Sequence, residues 1–126
     1  MKQTFFTITS NVALTADVYQ MKLTGDTAGI KCGQFVNIKV DGFYLRRPIS
    51  VCDFEGDLLT IIYKAVGKGT EKMAAMSEGT ELLVLTGLGN GYDLSLSGDA
   101  PLLIGGGAGV PPMYLLCRKL VAEGKK

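Results

Sequence analysis

Four short segments carry residue types from which a binding site could be built: Arg47-Pro48-Ile49-Ser50, Ile62-Tyr63-Lys64, Gly67-Lys68-Gly69-Thr70 and Gly105-Gly106-Gly107-Ala108-Gly109-Val110-Pro111-Pro112. Arg47 offers a planar guanidinium that can grip phosphate oxygens bidentately. Ser50 offers a hydroxyl that can hydrogen-bond a ring nitrogen. On a strand, residues 47 and 49 face one way and 48 and 50 the other. The proline between them marks an edge or a bulge, where a strand can turn a polar group onto a ligand. The plain alternative is a solvated arginine and a strand serine. Tyr63 stands among aliphatic residues and could stack on a planar ligand, although a tyrosine so placed is more often core. Lys64 points the other way and also reads as surface.

The two glycine-rich segments suggest phosphate chemistry. A glycine turn that runs into a helix presents free amide protons and the positive end of the helix dipole. At 67–70, Lys68 adds a charge and Thr70 a hydroxyl, or the segment is an ordinary turn with a threonine N-cap. At 105–112, successive glycines after an apolar stretch and before a helix match the layout of a dinucleotide-binding turn. The spacing is not the ordinary GxGxxG, and the chain ends too soon to contain the ribose-binding acid expected about twenty residues on.

The chain has no histidine, which excludes Ser-His nucleophilic catalysis and imidazole metal ligation within it. Cys32, Cys52 and Cys117 lie far apart, with no CxxC pair, so they read as buried thiols of a reducing compartment. A net charge of +1 lacks the basic excess of a nucleic-acid-binding domain. No apolar run reaches membrane-helix length, and the polar start is not a signal peptide. These features read as a cytoplasmic protein with no membrane and no nucleic-acid partner.

The elements that must position these segments are mainly β. Residues 4–14, 17–24, 34–40, 43–53, 58–66 and 80–86 are predicted strands, rich in β-branched and aromatic residues or alternating with period two. Val36, Ile38 and Val40 share one face, as do Tyr19, Met21 and Leu23. Asp41-Gly42 reads as a tight hairpin turn, and the Glu55-Gly56-Asp57 segment as another turn. A short helix is predicted after Gly67, capped by Thr70 and stopped by Gly79. GLGNGYDLSLSGDA reads as loop. From residue 101 the pattern becomes apolar strand, glycine turn and helix, with Val110, Met113, Tyr114, Cys117, Leu120 and Val121 at helical spacing and two prolines in the first turn. The predicted architecture is a six-stranded antiparallel Greek-key β-barrel with one short helix at 1–97, then the first βα unit of an α/β domain at 98–126.

Taken in order, LRRPIS, IYK, VGKGT, GLGNGYDL and GGGAGVPPM resemble the ferredoxin-reductase-like flavoprotein superfamily, and within it the electron-transfer subunits of NAD-linked (type B) dihydroorotate dehydrogenases. The resemblance implies FAD in the barrel, with Arg47, Pro48, Ile49 and Ser50 on the flavin and its ribityl or phosphate groups. Ile62, Tyr63 and Lys64 would line the cofactor, and Gly69 and Thr70 would hold the pyrophosphate. Gly106, Gly107 and Gly109, within the 105–112 turn, would begin the NAD site. No residue is expected to act as an acid or base. The GLGNGY loop would lie near the domain junction.

Proteins of that family are about twice as long. They complete the nucleotide domain and end in a cysteine-rich segment that holds a [2Fe–2S] cluster. NAD and the cluster are therefore expected only in a longer protein, and these 126 residues are expected to be a truncated piece, inactive alone. The implied partner is an FMN-containing dihydroorotate dehydrogenase catalytic subunit, in a heterotetramer. Electrons would pass from dihydroorotate through FMN and the cluster to FAD and then NAD⁺, in pyrimidine biosynthesis. Flavin subunits of hydrogenase, ferredoxin:NADP oxidoreductase or sulfite reductase type keep the fold and change the partner; RRPIS leans towards the dihydroorotate type. A non-redox β-barrel binding module is the reading of another class, and the 105–112 turn argues against it.

Overall fold

Alternation is realised as burial. Met21 and Leu23 of one strand, and Val36 and Ile38 of another, are fully buried, and their sequence neighbours are not. The computed structural model describes residues 2–125. Its strands are β1 (Lys2–Ala13), β2 (Val18–Thr24), β3 (Phe35–Ile38), β4 (Arg47–Glu55), β5 (Leu58–Lys64) and β6 (Glu81–Leu88). Two helices join them, α1 (Lys68–Ala74) and α2 (Val110–Ala122). The strands close into a barrel in the order β1-β2-β5-β4-β3-β6. Every neighbouring pair is antiparallel. The non-sequential neighbours β2–β5 and β3–β6 give the expected Greek-key path. Phe6, Ile8, Leu59, Ile61 and Val84 join the buried side chains in the interior. Truncating one of them, as in Ile61→Ala, would cost about 2–5 kcal/mol of stability.

Four local expectations are corrected. The turn at Gly56-Asp57 is a two-residue hairpin, closing Glu55↔Leu58 as expected. Asp41-Gly42 also turns, with the Phe43 amide donating to the Val40 carbonyl at 3.1 Å, but inside a longer loop and not as a tight hairpin, because β3 ends at Ile38 and β4 starts at Arg47. The N-cap of α1 is Gly67, not Thr70. Thr70 sits a turn in, and its hydroxyl reaches back to accept from the amides of Val66 and Gly67, both at 3.1 Å. The helix stops at Ala75, before Gly79. Asn11 of β1 supplies the stop: its Nδ2 donates to the carbonyls of Met73 at 2.8 Å and Met76 at 3.0 Å.

The fourth correction concerns residues 101–106, which have no strand hydrogen bonds. A strand needs a neighbour, and no parallel partner is present among the described residues. Leu103 nevertheless packs against the core, while Leu102 and Ile104 are exposed. The helix after them forms as expected but buries only part of the expected set, with Leu120 inside and Met113 packed against the core. Leu115, Leu116 and Leu120 go inward, and Val110, Tyr114, Cys117 and Val121 stay exposed. The inward face lies on β4. There Arg118 Nη2 donates to Asp53 Oδ1 at 2.7 Å and to the Phe54 carbonyl at 3.0 Å. Cys32 and Cys52 are buried free thiols, as expected, and Cys117 is an exposed one.

Candidate functional site

The hydrogen-bond ladder between β4 and β5 stops partway. It runs from Glu55↔Leu58 to Val51↔Ile61, with a register shift between Val51 and Asp53. Beyond Val51, β4 pairs only with β3, from Ser50↔Phe35 to Arg47↔Ile38. Beyond Ile61, β5 pairs only with β2, from Ile62↔Gln20 to Lys64↔Val18. The strands therefore splay, and the gap is a cleft of about 570 Å³. One wall is Pro48, Ile49 and Ser50; the other is Ile62, Tyr63 and Lys64. All three residues of each segment reach the cleft, because it opens at the strand edges and not on one face. Backbone donors and acceptors on these inner edges face the cleft instead of a partner strand.

Asp17, Val18, Gly107 and Pro111 complete the lining. Lys64 Nζ lies 3.6 Å from Asp17 Oδ2, with both side chains half exposed, so the pair adds little stability and places a charge at the rim. Gly107 has φ +55°, which favours glycine, in the short 3₁₀ turn Gly107–Gly109 that leads into α2. Gly106 and Gly109 cap this turn and α2 and do not line the cleft. The docking of α2 on β4 brings the turn to the cleft.

Tyr63 is a core residue, as the commoner reading has it, and it also forms part of the cleft wall. It is only 4% exposed. Its hydroxyl donates to Asn11 Oδ1 at 2.9 Å, and its ring stacks on Tyr19 with centroids 5.9 Å apart. Burial pushes the phenol up to about 12. Tyr63 is thus a neutral, fixed wall and not a proton donor in the neutral range.

Arg47 does not line the cleft. Its guanidinium carbon lies 5.2 Å from the centroid of the Phe43 ring and against the backbone of Gly69. Arg47 and Gly69 are therefore brought together. Thr70 lies beside them in α1, with its hydroxyl engaged inside the helix: besides accepting two amides, it donates to the Gly67 carbonyl at 3.1 Å. The GLGNGY loop packs on residues 31–34, where the Tyr92 amide donates to the Cys32 carbonyl at 2.9 Å and Gln34 Nε2 to the Gly89 carbonyl at 3.1 Å.

Two structural residues escaped the sequence reading. Asn11 links β1, Tyr63 and the end of α1, and its one sequence signal is an amide in a stretch of strand formers. Arg118 clamps α2 to the barrel and has no local signature at all.

Chemically, the cleft offers an apolar slot with backbone polar groups along both walls and a cation nearby on Arg47. That suits a flat heteroaromatic ligand with a charged tail. Among the described residues no cluster of three or more His, Cys, Asp or Glu side chains could hold a metal ion. No described helix is long and apolar enough to cross a membrane.

No protein-family model matches the chain. Its sequence is 41% identical, over 98% of its length, to the dihydroorotate dehydrogenase B (NAD(+)) electron transfer subunit of Bacillus pumilus, of which it covers 52%. The subunit of the same name from Fusobacterium nucleatum is 45% identical over 95% of this chain and 50% of its own length. The chain thus spans about half the length of the curated relatives it matches. Among solved structures, an NADH-dependent reduced ferredoxin-NADP oxidoreductase superposes with a TM-score of 0.87 and 28% identity, over 96% of this chain and 45% of that one. Phthalate dioxygenase reductase, described as a module for electron transfer from pyridine nucleotides to a [2Fe–2S] centre, gives 0.82 and 25%, over 98% and 41%. Along nearly all its length, this chain is a relative of part of the dihydroorotate dehydrogenase B electron transfer subunits, carried on the barrel fold of ferredoxin-reductase-like proteins.

Proposed function

We propose that this chain is the FAD-binding portion of an electron-transfer subunit that links dihydroorotate oxidation to NAD⁺. The observation that carries the reading is the splayed β4–β5 seam, which gathers Pro48–Ser50 and Ile62–Lys64 around one slot. The slot fits the group: its volume of about 570 Å³ and largely apolar walls suit an isoalloxazine. Bound there, FAD supplies the chemistry that joins single-electron steps to a two-electron transfer.

The chain's own residues position and shield. Ile49, Ile62 and Tyr63 exclude water from the ring, and Ser50 offers its hydroxyl to a ring nitrogen. Arg47 holds the phosphates, with Gly69 and Thr70 at the same end of α1. The 105–112 turn, with Gly106, Gly107 and Gly109, begins a nucleotide site that a longer polypeptide completes. The boundary between the two units lies near Ser97-Gly98. NAD, a [2Fe–2S] cluster, an FMN-bearing catalytic partner and a heterotetramer in the cytoplasm belong to the reading of the longer protein.

Identities of 38–45% to subunits of this one name, against 28% or less to the structural neighbours, favour the dihydroorotate system over other flavin reductases. The test is retention of FAD after desalting, read as absorbance near ~450 and ~375 nm. It is run on this chain and on the polypeptide from its complete gene. Bound flavin is expected, with Arg47→Ala weakening binding by about 1–3 kcal/mol. Colourless protein from both sources sinks the reading. Unchanged affinity in Arg47→Ala removes Arg47 from the phosphate site.

A further inference from the structure

Gly69 has no conformational reason to be glycine. It lies inside α1 with helical backbone, and it is not among the glycines with positive φ. Glycine is the poorest helix former after proline, so the position carries a cost that something must explain. The explanation is spatial. A β-carbon at residue 69 would stand 2.7 Å from both Cζ and Nη2 of Arg47, and closer still to Nε. By contrast, a β-carbon on Gly67, two residues earlier, would meet nothing within 4 Å. Gly69 is also buried, whereas Gly67 and Lys68 are exposed.

The other side of Arg47 is built as well. Phe43 presents its ring to the guanidinium at 5.2 Å. Phe43 belongs to the 39–46 loop, and Lys72 of α1 ties that loop down by donating to the Asp41 carbonyl. The guanidinium is thus held between an aromatic face and bare helix backbone, and the two holders are fastened to each other.

We propose that Gly69 is a positioning residue for Arg47: its missing side chain is the seat that fixes the guanidinium for phosphate binding. This rests on the reading of the β4–β5 cleft as a flavin site, and it changes what Gly69 is for. A glycine that cradles phosphate through its own amide acts independently of Arg47. A seat acts only through Arg47. The crowded atoms belong to a flexible side chain, so adding a methyl at 69 displaces Arg47 and leaves the backbone in place.

The experiment is a double-mutant cycle on FAD affinity with Gly69→Ala, Arg47→Ala and the double variant, and Gly67→Ala as control. Gly69→Ala is expected to keep the circular dichroism and melting temperature, and to lose affinity about as far as Arg47→Ala, roughly tenfold or more. The double variant is expected to bind no more weakly than Arg47→Ala alone, and Gly67→Ala to bind like the parent. Wild-type affinity in Gly69→Ala, or losses that multiply in the double variant, overturns the proposal. A second readout needs no ligand. In the parent chain, the Arg47 Nε proton should show a nuclear Overhauser contact to the Gly69 α-protons and slow solvent exchange, both lost in Gly69→Ala. If the parent binds no FAD, the flavin reading has failed, and this contact alone decides whether the seat exists.

Discussion

The Tyr63 hydroxyl is held by Asn11 in the barrel, and burial pushes its ionisation up to about 12. In the unfolded chain a tyrosine ionises near ~10. Between those values the unfolded chain has lost the proton that the folded protein keeps. Stability is therefore complete below ~10 and falls as pH rises through the window. Urea unfolding of the parent at pH values from about 9 to 11.5 should show that decline, and Tyr63→Phe should flatten it. The same variant strands Asn11 Oδ1, costing about 1 kcal/mol at neutral pH. A slope identical in both proteins would assign the alkaline loss elsewhere. Tyr63 itself was legible in the sequence as a polar group in an apolar strand. Its partner lies 52 residues away, and nothing local to Asn11 names it. Arg47 was legible as a cation able to grip phosphate, whereas its contact with Gly69 is a matter of two elements meeting.

Strands were legible because each needs only a period-two pattern and turn residues at its ends. The pattern on β2 and β3 placed their buried residues correctly. Residues 101–106 show the limit of this logic: Leu102, Leu103 and Ile104 have strand composition, but composition supplies no neighbour to pair with. The same limit explains α2. Helical spacing identified the helix, while the choice of inward face was made by β4 and by Arg118. This clamp has a consequence at the scale of the element. Arg118→Ala removes the bonds to Asp53 and Phe54, so the amides of α2 should exchange faster by at least severalfold. The barrel strands should keep their protection. Hydrogen exchange read by mass spectrometry checks both, and equal acceleration in strands and helix would mean that α2 and the barrel open as one unit.

At the scale of the molecule, barrel closure follows from strand number and the two crossovers, which a sequence does not order by itself. The surface beside α2 is apolar: Leu102, Ile104, Val110, Tyr114 and Val121 are each at least half exposed. Such a collection drives association. Sedimentation velocity of this chain should show concentration-dependent self-association, and Ile104→Glu with Val121→Glu should abolish it. A monomer at all concentrations would show that this surface is not sticky in water. The splayed seam has a further consequence, which concerns strangers and not ligands. A closed barrel has no strand edges, and the splay gives this one back two short lengths of edge. Each is furnished against recruitment: Pro48 cannot donate to an incoming strand, and Lys64 would place a charge beside it. The opening between β4 and β5 is thus guarded against a β-strand from another molecule, and replacing both guards with valine would turn the cleft into a seed for aggregation.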